Sequence, residues 1–228
     1  MIINGFQKLT LLDFPAHTAA IVFTAGCDLR CPFCHNAPLV SRIRLDERID
    51  EGEVFSYLEK RFGILDGVCV SGGEPLLQKD IFAFLERVKD MGYDVKLDTN
   101  GSSPERLREV IDRGLADYVA MDIKNAPELY QKTTGIGDLD IEPFSKSRDI
   151  LLSSSVDYEF RTTVTSELHT PKSIAAAAEW IKGAKRYFIQ NFKDSGDTVG
   201  EGMTPCSQDV LEAMKTEALK FVENVNIR

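Results

Sequence analysis

Ala19-Ala20-Ile21-Val22-Phe23-Thr24-Ala25-Gly26-Cys27-Asp28-Leu29-Arg30-Cys31-Pro32-Phe33-Cys34 decides how the rest of the chain is read. Its first half is an apolar, β-rich run of strand length, and its second half is a short loop carrying three thiols. Outward from it, strand-like runs recur at 67–71, 94–98, 118–123, 158–164 and 186–191, giving six with 19–25. Most are continuous apolar runs, as strands covered on both faces should be. Helical spacing fills the intervals. Ile81, Phe84, Leu85, Val88 and Met91 repeat at helical steps before Gly92. Ser103-Pro104 and Thr170-Pro171 read as N-caps followed by first-turn prolines, and Val210 to Phe221 marks a last helix with no clear strand after it. Alternation of this kind predicts an α/β fold with a mainly parallel sheet. Six βα units suit an open barrel or a doubly wound sheet, and in both the ligands gather at the carboxyl ends of the strands.

Composition narrows the class. The 228 residues are 43% hydrophobic and 28% charged, ordinary values for a folded globular chain. No linker, repeat or compositional break divides them, so a single domain over 1–228 is expected. Asp+Glu outnumber Lys+Arg by 36 to 27, for a net charge of -9, which argues against a nucleic-acid-wrapping surface. The start of the chain lacks the pattern of an export signal and no apolar stretch reaches membrane-spanning length, so a cytoplasmic protein without a membrane partner is expected. Five cysteines, an odd number with three inside eight residues, suit a reducing compartment and a metal site better than a disulfide framework.

Cys27, Cys31 and Cys34 form a C-x3-C-x2-C loop, a spacing that randomly scattered cysteines would produce about 0.002 times in a chain of this length. Thiolates are soft ligands and select iron–sulfur clusters or zinc over hard cations. A structural zinc site wants four closed ligands; no fourth cysteine is nearby, and His35, which could complete one, is awkwardly adjacent to Cys34. A [4Fe–4S] cube held by three cysteines leaves one iron open to a ligand. Packed core thiols are the third alternative. Cys69, inside Val68-Cys69-Val70, reads as a core residue, and Cys206 as a packed or exposed loop thiol.

The distinctive polar residues lie at strand ends: Gly72-Gly73-Glu74-Pro75, Asp98-Thr99-Asn100-Gly101 and Asp122-Ile123-Lys124-Asn125. Taken singly, each fits a tight βα turn with an acidic cap. Two glycines also let a backbone approach a ligand closely, and a carboxylate there can accept hydrogen bonds from an ammonium group. Arg161, in a largely apolar run, requires an anionic partner, either a structural carboxylate or that of a ligand. His169 reads as a surface histidine or a pocket donor, and His17 as part of a packed turn.

The cysteine spacing followed about forty residues later by Gly-Gly-Glu-Pro resembles the radical S-adenosylmethionine (SAM) superfamily. The resemblance implies an α/β fold of the partial (β/α)6 TIM-barrel type, with a [4Fe–4S] cluster on Cys27, Cys31 and Cys34 and SAM on the open iron. It makes Gly72, Gly73 and Glu74 the site of the SAM amino group, and it places Asp98, Thr99, Asp122, Lys124, Asn36, Arg161 and His169 around the cofactor. By similarity to pyruvate formate-lyase activating enzyme it also implies a monovalent cation near Asp98 and Asp122, with the Met121 carbonyl as a further ligand.

The segments Gly5 to Cys27, Cys34-His35-Asn36 and Tyr187 to Phe192 resemble the activating proteins of anaerobic ribonucleoside-triphosphate reductase. The implied function is an oxidoreductase that generates a glycyl radical in a partner enzyme, supplied with electrons by flavodoxin or ferredoxin. Ala16 departs from that pattern, which often has Gly after Asp-x-Pro. The alternatives are a small-molecule radical SAM enzyme such as 7-carboxy-7-deazaguanine synthase, or a zinc-binding regulatory or scaffold protein.

Overall fold

A computed structural model describes residues 1–194 and 196–228. Eight strands form one sheet in which spatial order follows chain order. They are β1 (Ile3–Thr10), β2 (Ala19–Thr24), β3 (Gly67–Gly72), β4 (Asp94–Thr99), β5 (Tyr118–Asp122), β6 (Asp157–Val164), β7 (Tyr187–Asn191) and β8 (Val225–Ile227). β1 runs antiparallel to β2, and every later pair is parallel. The two end strands do not pair, so the sheet is a partial barrel that stays open.

Helices carry the chain back between parallel strands. They are α1 (Ala37–Val40), α2 (Glu51–Arg61), α3 (Ile81–Asp90), α4 (Pro104–Asp112), α5 (Tyr130–Thr134), α6 (Glu142–Ser153), α7 (Pro171–Trp180) and α8 (Gln208–Ala218). Their apolar stripes pack on the outer face of the sheet, where Val68, Val70, Val95, Leu97, Val119 and Met121 have no exposure. At the start of α7 the Thr170 hydroxyl takes the Ser173 N–H at 3.1 Å, and Ser173 returns the contact to the Thr170 N–H, so the expected cap is a reciprocal box. Ser103 occupies the corresponding position before α4 without a side-chain cap bond.

β2 to β7 are the six strands expected from sequence, and the structure departs from the rest of that reading in three ways. A strand, β8, does follow the last helix, but it is three residues long with only Val225 buried. β1 was not anticipated because its sequence is mixed and it is a half-buried edge strand whose residues 7–9 are exposed. The inner face of the sheet also departs from the both-faces-apolar expectation. Lys96, Asp98, Asp122, Glu159 and Arg161 alternate there with the outward apolar set.

Candidate active site

Three thiols meet at the carboxyl ends of the strands. Cys27, Cys31 and Cys34 all line one cavity of about 360 Å³. The loop that carries them is fixed by backbone bonds: Cys34 N–H donates to the Cys31 carbonyl at 3.1 Å, and Arg30 N–H reaches the Thr134 carbonyl at the end of α5 at 2.8 Å. Burial pushes the Cys27 thiol up to about 12 and the Cys31 thiol up to about 11. Their thiolate forms therefore need a Lewis acid. Donors for such a thiolate are already aimed at Cys27 Sγ, from Leu29 N–H at 3.4 Å and Asn100 Nδ2 at 3.7 Å. Among the described residues no trio of His, Cys, Asp or Glu converges on a single-ion site. A cubane does not require that convergence, since each cysteine binds a different iron. The soft donor set in one cavity fits a three-cysteine cluster.

Gly72 and Gly73 join this loop to the end of β3. A Cβ on Gly73 would stand 2.0 Å from the Gly26 carbonyl oxygen, and one on Gly72, at φ +117°, 2.3 Å from that of Thr24. Only glycine permits this approach of two strand ends. Gly73 N–H bonds the Thr24 carbonyl and Glu74 N–H that of Gly26, both at 2.8 Å, while Asn36 Nδ2 donates to the Gly72 carbonyl at 2.7 Å. Gly72, Gly73 and Asn36 all line the cavity.

Glu74 stands behind that wall, fully buried. Its carboxylate accepts from Leu76 N–H at 3.1 Å, Thr99 Oγ1 at 2.8 Å and Asn100 N–H at 2.6 Å. Burial raises its carboxyl to about 7 against the pull of those donors. It latches the β3 and β4 ends together, and through Asn100 the latch reaches Cys27. His169 is likewise outside the cavity. Thr165 N–H donates to His169 Nδ1 at 3.1 Å, so Nε2 carries the proton and donates to the Lys124 carbonyl at 2.9 Å, while the ring meets Phe33 edge-on.

Asp98, Asp122, Lys124 and Arg161 do line the cavity, and they form one network. Arg161 Nε donates to Asp122 Oδ1 at 3.0 Å and its Nη1 to Asp98 Oδ2 at 3.4 Å. The anionic partners that Arg161 needs are thus two structural aspartates. Lys124 Nζ takes the other Asp122 oxygen at 3.0 Å. Burial alone would raise Asp122, but Arg161 and Lys124 bring it down to about 2. The two carboxylates beside which a monovalent cation was expected are already compensated by side chains of the chain itself.

Several lining groups were not anticipated as site residues: Ser71, Asn100, Asp13 and Gln190 line the wall. Lys96, 1% exposed, bonds Asp98 from below. Its signal was available, because a lysine two residues before Asp98 in a strand points to the same face. Cys206 is packed, exchanging backbone bonds with the Asn191 side chain, and Cys69 is buried beside Lys96.

The radical SAM superfamily pattern matches residues 21–151, more than half of the chain. This chain belongs to the radical SAM superfamily. It is 31% identical, over its whole length and 95% of the other's, to a protein of Methanocaldococcus jannaschii provisionally named a glycyl-radical enzyme activating enzyme. It is 30% identical to the pyruvate formate-lyase-activating enzyme of Clostridium pasteurianum over 64% of this chain and 62% of that one. Among solved structures, Streptococcus suis SuiB bound to S-adenosylmethionine shares the fold with a TM-score of 0.66 at 15% identity, over 91% of this radical SAM chain and 51% of SuiB. The family implies a [4Fe–4S] cluster and SAM, and the cavity offers the thiols and charged strand ends that such a pair requires.

Proposed function

We propose that this radical SAM protein activates a glycyl radical enzyme, and that its partner is an anaerobic ribonucleoside-triphosphate reductase. The observation that supports this best is the end-to-end similarity to a relative named for glycyl-radical activation, in a chain whose three clustered thiols face a charged cavity. Residues 1–228 act as one radical SAM domain.

In this reading Cys27, Cys31 and Cys34 hold the cluster, and the backbone of Gly72 and Gly73 with the side chains of Asp98, Thr99, Asp122, Lys124 and Arg161 surrounds SAM. When bound, the cluster supplies the electron that breaks a sulfonium C–S bond of SAM, giving methionine and a 5′-deoxyadenosyl radical that takes a hydrogen atom from a glycine Cα. No side-chain base is needed, because a hydrogen atom rather than a proton leaves the glycine. Lys124 and Arg161 present cationic groups for the SAM carboxylate, and Asp98 and Asp122 hold those groups in place. Glu74, Asn36 and His169 fix the loops that carry them. A docked partner loop excludes water from the open mouth. Electrons come from flavodoxin or ferredoxin in the cytoplasm.

Anaerobic reconstitution tests the reading. We expect about four iron and four sulfide per chain, SAM cleavage on reduction, and a glycyl radical signal in electron paramagnetic resonance when the reductase is added. Zinc without SAM cleavage would overturn the family chemistry. SAM cleavage coupled to a small heterocyclic substrate, with no radical on any glycyl radical enzyme, would move the chain to the small-molecule branch.

A further inference from the structure

The inner face of β4 carries a lysine that the proposed reaction does not use. Lys96 is 1% exposed and its Nζ donates to Asp98 Oδ1, with Cys69 Sγ at 3.9 Å on its other side. Asp98 Oδ2 accepts from Ser71 Oγ at 2.9 Å and from Arg161 Nη1 at 3.4 Å. Asp122 gives one oxygen to Arg161 and the other to Lys124. Every carboxylate oxygen of the pair is therefore paired with a cationic group, and Oδ2 of Asp98 has a hydroxyl besides. A free monovalent cation between these aspartates would lie against three fixed positive charges, those of Lys96, Lys124 and Arg161, and would have to displace one of them. In a partly buried site that repulsion is screened much less than at the surface.

We infer that Lys96 is a tethered substitute for a monovalent cation, a positioning residue that fixes Asp98, and with it Arg161, without any ion from solution. A tethered ammonium is bound at unit stoichiometry whatever the salt, so the cavity is charged in advance. The inference rests on the proposed binding of SAM in this cavity, and its chemistry distinguishes sodium and potassium from the ammonium of a side chain.

The test measures SAM affinity of the reconstituted protein by equilibrium dialysis, replacing choline by potassium or sodium at constant ionic strength. Wild type is expected to bind SAM with the same affinity in all three salts. Lys96→Thr, which opens the space, is expected to lose about tenfold in choline, the effect of one buried charge contact, and to regain affinity with potassium or sodium. Lys96→Arg, which keeps a cation on the strand, should stay insensitive to the ion. A wild type whose affinity rises several-fold with potassium overturns the inference, whether or not the variants fold. So does a folded Lys96→Thr protein, judged by its thermal transition, that binds as wild type in choline or is not rescued by either ion. Absence of SAM binding by wild type in every salt would instead sink the functional reading on which the inference stands.

Discussion

At the carboxyl ends of the strands the barrel lumen holds Asp98, Asp122, Lys124 and Arg161 in ion pairs, whereas at the amino ends Phe14 closes it against Ala19, Tyr118 and Ala120. The upper end is half-buried around the cavity and held by charge, and the lower end is buried and held by apolar contact. The lower end is not wholly apolar, since Tyr118 passes its hydroxyl to Glu159, which is also paired with Arg228. The difference follows from what each end must accept. A polar, charged ligand at the top needs preorganised charges, which are tolerable in the interior only when compensated. The bottom has only to exclude water, and a ring does this at no electrostatic cost. In barrels generally the top carries chemistry and the bottom stability.

The largest effect should come from breaking the upper network. Arg161→Met leaves Asp98 and Asp122 facing each other without their shared guanidinium, and should cost about 3–5 kcal/mol, as removal of one member of a buried ion pair does. Urea unfolding of the cluster-free protein measures it, and SAM affinity of the reconstituted protein should fall by more than about tenfold. Unchanged stability would show that the top is not held by charge. Phe14→Ala is the matching cut at the bottom. It should cost about 3 kcal/mol through the cavity left among buried neighbours, while SAM affinity of the folded protein stays the same. A joint loss of stability and SAM affinity would mean that the two ends are not separable.

A smaller gain should come from the turn beneath Phe14. Ala16 has φ +62°, the one positive φ on a residue other than glycine among the described residues. The left-handed region costs an L-residue about 1–2 kcal/mol, and glycine gives back about 0.4–1 kcal/mol through the entropy of its unfolded chain. Ala16→Gly should therefore stabilise by about 0.5–1 kcal/mol, visible as a raised urea midpoint. A lowered midpoint would show the turn to be unstrained.

These two ends were unequally legible in the sequence. The top was visible because its groups are local: a chelating loop has its spacing in the chain, and Asp98 and Asp122 end runs that read as strands. Direction was not local. Glu74 and His169 were expected around the cofactor, and only the fold shows that their polar atoms turn to backbone groups and, for Glu74, the Thr99 hydroxyl behind the wall. Lys96 could have been read from its place two residues before Asp98 on the same face of a strand, whereas Asp13 enters the cavity from the loop below. β1 and β8 escaped because an edge strand buries too little to impose a pattern. At the bottom the departure at Ala16 could be seen by comparison with the family pattern, but its strain could not. The partner of His17, Asp94, lies 77 residues away.

His17 offers the finest test of the contrast, because one side chain uses both kinds of contact. Its ring stacks on Phe14 with centroids 3.9 Å apart, and Nε2 lies 3.0 Å from Asp94 Oδ2 while Nδ1 lies 2.7 Å from the Pro15 carbonyl. Burial lowers its pKa, but the Pro15 carbonyl and the Asp94 carboxylate outweigh that and leave it raised above 6.5. A raised pKa means that the folded state holds the proton more tightly than the unfolded chain. The resulting stability is complete below 6.5 and disappears as pH climbs through the folded value. Since Asp94 is half exposed, solvent screens the pair, and the gain amounts to a few tenths of a kcal/mol at most, roughly what an exposed ion pair supplies. His17→Phe keeps a ring over Phe14 and removes the charge. Its stability relative to wild type, followed by urea midpoint against pH, should be lower in the acid range and should close on wild type as pH rises through neutrality. A gap independent of pH would assign the whole of His17 to the stack, and one that widened with pH would reverse the sign of the charge term.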